Sequence, residues 1–185
     1  MAMPYEYTCG PLKDPVKRAN FVASFARMYA EYNNTSQLTI KIVPPTLYRG
    51  VKLHDDDKPP DALVAFFTPK VDEAVSYAKY SPNAVYVFRS EGLRVFDMTC
   101  RSTILTFQAM FHGLGWPVQF ITLFAAQNIA ANPGFETDMF NLMHDVIIEH
   151  KLELSGFYRV TRSSTLDKNA EEYDIYRSRI PDYIP

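Results

Sequence analysis

Cysteine is nearly absent from this chain, with two residues in 185, and tryptophan occurs once. The thiols, Cys9 and Cys100, are far apart and match no zinc or redox spacing, so a disulfide framework is excluded and two thiols in a reducing compartment are expected. Basic charge is not in excess: 19 Lys and Arg stand against 21 Asp and Glu, for a formal net charge of -2. No run of Lys or Arg supplies the electrostatic footprint of a nucleic-acid binder. There is no long uninterrupted apolar run either. The most apolar stretch, 104–131, is broken at "HGLGWP", where Gly113, Gly115 and Pro117 predict two packed helices and not one membrane span. The opening "MAMPYEYTCG" lacks a basic region followed by an apolar one, which predicts no secretory leader, and Ala2 excludes myristoylation. "NNTS" at 33–36 holds glycosylation sequons that mean little without a leader. A soluble cytoplasmic protein with no nucleic-acid or membrane partner is therefore expected. Internal repeats, low-complexity tracts and the HExxH, GxSxG and Walker patterns are all missing. Asp55, Asp56 and Asp57 lack calcium-loop spacing, so no metal site is expected.

What is present is core-forming material. Hydrophobic residues make up 47% and charged residues 22%, with 13 Phe and 12 Tyr, enough for one folded domain spanning 1–185. Asp14-Pro15 reads as a helix cap followed by proline at the first helical position, and Val16, Ala19, Val22, Ala23, Ala26, Tyr29 and Ala30 recur at helical spacing until "NNTS". "LTIKIV" and "TLYRGV" read as short strands on either side of Pro44-Pro45, and 54–62 as a solvated loop. "ALVAFF" is a strand ending in Thr68-Pro69, which reads as the cap of a helix with Val71, Ala74, Val75 and Ala78 inward. "AVYVFR" and "LRVFDM" read as an antiparallel pair joined at "SEG". A helical insert of about 102–150 follows, then the strand "GFYRVT", a polar loop, and the closing strand "EYDIYR". Strands before and after a helical block give an α+β fold, not a strict βαβ alternation.

Two segments carry polar groups that a plain strand does not need. In "TLYRGV", Arg49 lies between Leu47 and Val51 on one face, and Gly50 is a place where a backbone or ligand approaches closely. In the closing strand, Glu172, Asp174 and Tyr176 share one face, the two acids about 6.6 Å apart along the chain. Taken singly, Arg49 reads as a snorkelling edge arginine and the acids as a wet edge that resists aggregation.

Together, "LYRG", "AFFTPKVDEAVSYAK", "VYVFRSEGLRVFDM" and "EEYDIY" resemble the ADP-ribosyltransferase superfamily, over 46–98 and 170–184. "LYRG" is similar to the arginine-bearing strand of its toxin-like branch, and "EEYDIYRSRIPDYI" to the closing strand of its poly(ADP-ribose) polymerase branch. The resemblance implies a mixed, mostly antiparallel split sheet with an N-terminal helix and a helical insert. It implies NAD as the substrate and an unidentified protein acceptor. It implies Glu172 as the catalytic acid, with Arg49, Gly50, Phe66, Thr68 and Tyr77 around NAD. Asp174 takes the catalytic slot instead if the toxin-like E-x-E register applies, and Phe67 replaces Phe66 if that register slips. The toxin branch has Ser-Thr-Ser where this chain has "FFTP", so only Thr68 stands in, and the insert matches nothing in the family. A module that keeps the fold for binding or structure, and an NAD hydrolase without a protein acceptor, are the two other functions compatible with the pattern.

The chemistry explains why such residues would be placed so. Cleaving the nicotinamide–ribose bond creates an oxocarbenium-like centre. A carboxylate about 4 Å away interacts with it by about 4 kcal/mol at an effective dielectric of 20, or about three decades in rate if felt only in the transition state. A guanidinium there would raise the barrier, so Arg49 belongs on the diphosphate, which it binds bidentately.

Overall fold

The structure is a computed structural model that describes residues 5–33, 35–50, 63–77, 85–126, 133–163 and 168–180. The chain divides into two compact units, one formed by residues 1–40 and 98–153, the other by 41–97 and 154–185.

The first unit is helical. Its helices are α1 (Pro15–Tyr32), α3 (Arg101–His112), α4 (Val118–Ala125) and α5 (Pro133–Glu149). The Asp14 carboxylate accepts from the amides of Val16 and Lys17 with Pro15 at the first helical position, as expected. The inner face of α1 differs from the alanine-rich stripe the spacing suggested. Phe21, Val22, Phe25, Met28 and Tyr29 are buried, whereas Val16, Ala19 and Ala30 are exposed. Aromatic and Met side chains remove more apolar area from water than alanines, so they decide which face turns inward. Phe21 and Phe25 pack on Phe111 and Phe107 of α3. The expected break in the apolar stretch falls between α3 and α4, where Gly115 has φ +77 and Trp116 stacks on Phe111. A strap of residues preceding α1 is tied to α5 by Asp138. This fully buried carboxylate accepts from the Tyr5 hydroxyl, the Thr8 amide and hydroxyl, and the Cys9 amide.

Among the described residues, the second unit holds two sheets. Strands β1 (Ile40–Ile42), β3 (Val64–Phe67), β5 (Arg94–Asp97), β6 (Gly156–Ser163) and β7 (Lys168–Tyr176) form one, in the order β1-β5-β6-β7-β3. β2 (Thr46–Gly50) and β4 (Val85–Arg89) form an antiparallel pair of their own. The five-stranded sheet is mixed: β5 runs parallel to β6, while β6–β7 and β7–β3 are antiparallel. The architecture is thus α+β.

The strands at "AVYVFR" and "LRVFDM" form, but not as the expected hairpin: β4 joins β2, and β5 joins β6. The turn explains this. Leu93 donates to the Ser90 carbonyl, Gly92 has φ +85, and Glu91 is not at positive φ. That is the type II pattern, whose twist splays flanking strands instead of closing a hairpin. Ser90 then fastens the corner by donating from its amide to Pro45 and from its hydroxyl to Pro44.

One face of the five-stranded sheet meets the β2–β4 pair in a core that includes Leu47, Ala65, Phe67, Phe88, Val95, Tyr158, Tyr173 and Ile175. Alternation sends the neighbouring residues of β3, β6 and β7 to the opposite face. Gly156 lets β6 and β7 lie close, since a Cβ there, at φ +153, would fall 1.7 Å from the Asp174 carbonyl oxygen.

Helix α2 (Val71–Tyr77) starts later than the Thr68-Pro69 cap suggested, because Lys70 gives the first helical carbonyl, to Ala74. Its buried residues are Glu73 and Ala74, while Val71 and Val75 face solvent. The expected inner face is therefore corrected. Glu73 is drawn inward by the Thr68 hydroxyl, which donates to it at 2.8 Å. Ala78, Asp55, Asp56 and Asp57 lie outside the described residues.

Candidate functional site

The acidic face of the closing strand is not wet. Asp174 and Tyr176 are almost completely buried, and Glu172 opens only partly to solvent, its side chain 16% exposed. The residue that accounts for this is Arg159 on β6, itself 0% exposed and directly opposite Glu172 in register. Its Nε donates to Asp174 Oδ2 and its Nη2 to Glu172 Oε2, the latter at 3.2 Å. One guanidinium therefore spans the i and i+2 acids on one strand face. A strand repeat of about 6.6 Å suits the width of a planar five-donor fork.

Phe66 completes the wall. It lies opposite Asp174 across the β3–β7 ladder, so its ring stands on the same face, 6.0 Å from the Arg159 Cζ. The ring is 37% exposed, an open aromatic surface, whereas Phe67 is a core residue packed on Phe88 at 5.4 Å. On the far side of β3, Arg49 donates from Nη1 to the Phe66 carbonyl at 3.2 Å. β2 and β3 are held there by paired amide–carbonyl bonds between Tyr48 and Thr68. Arg49, Phe66, Arg159, Asp174 and Glu172 are thus linked contact by contact within the second unit.

The remaining sequence candidates stand around this cluster. Gly50 ends β2 opposite Val85. Thr68 is buried with its hydroxyl committed: it donates to Glu73 and accepts from the Lys70 amide. Tyr77 ends α2, and its side chain lies outside the described part of the structure.

The electrostatics are those of a compensated acid pair. Burial pushes the Asp174 carboxyl well above the ordinary carboxylate range. Arg159 pulls it back in part, and the charge of nearby Glu172 raises it further. Arg159 lies between the two acids and balances one negative charge. Asp174 is too buried to touch a ligand, and Glu172 is the member that reaches solvent.

Arg159 was not singled out in the sequence, where "GFYRVT" reads as an ordinary strand. The available signal was its position two residues after Phe157 on one face of a strand otherwise aromatic and β-branched, where a charge needs a partner.

Among the described residues, no group of three or more His, Cys, Asp or Glu side chains is arranged to hold a metal ion. No described helix is long and apolar enough to cross a membrane. Compared with protein families, curated proteins and solved structures, the chain gives no significant match.

Proposed function

We propose that this protein is an NAD-dependent mono-ADP-ribosyltransferase of the ADP-ribosyltransferase fold. The observation that carries the reading is the linked cluster itself. An arginine, an open aromatic ring and a partly exposed glutamate, which are distant in sequence, are brought into one chain of contacts. Phe66 packs on the nicotinamide ring, and Arg49 leaves the Phe66 carbonyl to grip the diphosphate. Glu172 faces the ribose. The C1′–N bond breaks, nicotinamide leaves with the electron pair, and the carboxylate steadies the positive sugar. The acceptor's nucleophile then bonds to C1′ and gives up its proton. The acceptor is a protein side chain, with water as the competing nucleophile.

A second reading has one specific observation in its favour. Arg159 holds both acids, and the Thr68 hydroxyl is consumed by Glu73, so the polar groups serve the fold itself. On that reading the fold is a binding or structural module without catalysis.

Titration of NAD into the protein by calorimetry separates the two. The transferase reading expects saturable binding that weakens at least tenfold in Arg49→Ala, a loss of about 1.4 kcal/mol. Absence of binding to the wild type would leave the module.

A further inference from the structure

We infer that Arg159 is the positioning residue for Glu172, aiming its carboxylate from the neighbouring strand, with Asp174 locking the guanidinium from behind. This inference rests on the NAD-cleaving reading above.

The geometry supplies the argument. Arg159 is fully buried, stands directly across from Glu172, and gives separate donors to the two acids. A guanidinium tied at Nε to a fully buried Asp174 cannot rotate freely, so Nη2 presents a fixed donor to Glu172 Oε2. The Phe66 ring covers one side of the same group.

Charge leads to the same assignment. Two carboxyls this close cannot both ionise cheaply without a cation between them. Arg159 offsets that repulsion, while burial keeps the proton preference on Asp174. That leaves Glu172, the acid at the open end of the pair, to face an oxocarbenium-like ribose. Stability alone gives little reason for such a pair, since buried ion pairs are often matched or exceeded by apolar residues of similar volume. Asp174 and Arg159 act only through Glu172 in this scheme, and neither touches NAD.

The test uses the full chain with NAD as substrate and water as acceptor, comparing wild type, Arg159→Met and Arg159→Lys. Nicotinamide release gives kcat and KM, and crystal structures of the variants give the position of the Glu172 carboxylate. In Arg159→Met, kcat should fall about tenfold or more with KM within about threefold, the pattern of lost transition-state stabilisation. The Glu172 carboxylate should turn away from its wild-type position once the Nη2 donor is lost. Arg159→Lys keeps the charge but not the fork, so it should restore kcat only in part. If Arg159→Met does not fold, Arg159→Lys carries the test, with kcat again expected to fall.

Folded variants with wild-type kcat and an unmoved Glu172 carboxylate would overturn the role given to Arg159. A wild type that neither binds NAD nor releases nicotinamide overturns the enzymatic reading instead, and the position of the Glu172 carboxylate in the variants still reports on Arg159 in that case.

Discussion

Arg159 and Asp174 are diagonal neighbours across β6 and β7, both 0% exposed, joined by a hydrogen bond from the arginine Nε to the aspartate Oδ2. This contact turns the acidic face of the closing strand from a solvated edge into an interior feature. It also divides the labour of the two acids: Asp174 is sealed, and Glu172 is left at the opening.

Removing one member of that pair should cost far more than removing both. Asp174→Leu leaves a buried guanidinium short of a partner and should destabilise the fold by about 3–5 kcal/mol, whereas Asp174→Leu combined with Arg159→Met should lose much less. Urea unfolding of the two singles and the double closes the cycle. Additive single losses would show that the two side chains do not act as a pair.

The two cysteines should differ sharply in reactivity. Cys100 precedes α3, and hydrogen bonds with the Ser102 and Thr39 hydroxyls bring its thiol down to about 7. Cys9 is pushed up to about 11, by burial first and then by Asp138. Thiolate is the reacting form, so iodoacetamide at pH 7 should modify Cys100 at least about tenfold faster than Cys9, as read by peptide mass spectrometry. Equal rates would contradict these assignments.

The Asp138 anchor predicts a pH effect of definite sign. Burial alone raises this carboxyl, but hydrogen bonds from Thr8, Tyr5 and Cys9 outweigh it and leave the group below its ordinary value of 3.8. A depressed folded value stabilises the protein above the unfolded value, and that contribution is lost as pH falls through the folded one. The urea midpoint of wild type should therefore drop more between about pH 5 and pH 2.5 than that of Asp138→Asn. Parallel curves would show that Asp138 is not the linked group.

Local features were readable from the sequence, and partnerships were not. Asp14-Pro15 announces its helix because cap and proline act within three residues. The shared face of Glu172, Asp174 and Tyr176 follows from strand alternation alone. The failure at "SEG" is instructive: both flanking strands were visible, yet the turn's backbone type sent them to different sheets. The inner face of α1 went to Phe21, Phe25 and Met28 because tertiary burial favours area over the regular spacing of alanines. Arg159 stayed hidden because its partners come from another strand, and no local pattern announces a cross-strand register. The same register is what shows the acids to be paired, so the most informative residue of the site was the one least legible beforehand.

The account depends most on whether a single carboxylate supports cleavage of NAD. The direct measurement is nicotinamide release from NAD by wild type and by Glu172→Gln, which preserves shape and removes the charge. A carboxylate contributing about 4 kcal/mol to the transition state predicts a loss of about three decades in the variant, with folding unchanged. Equal release from the two proteins, or none from either, would contradict the account.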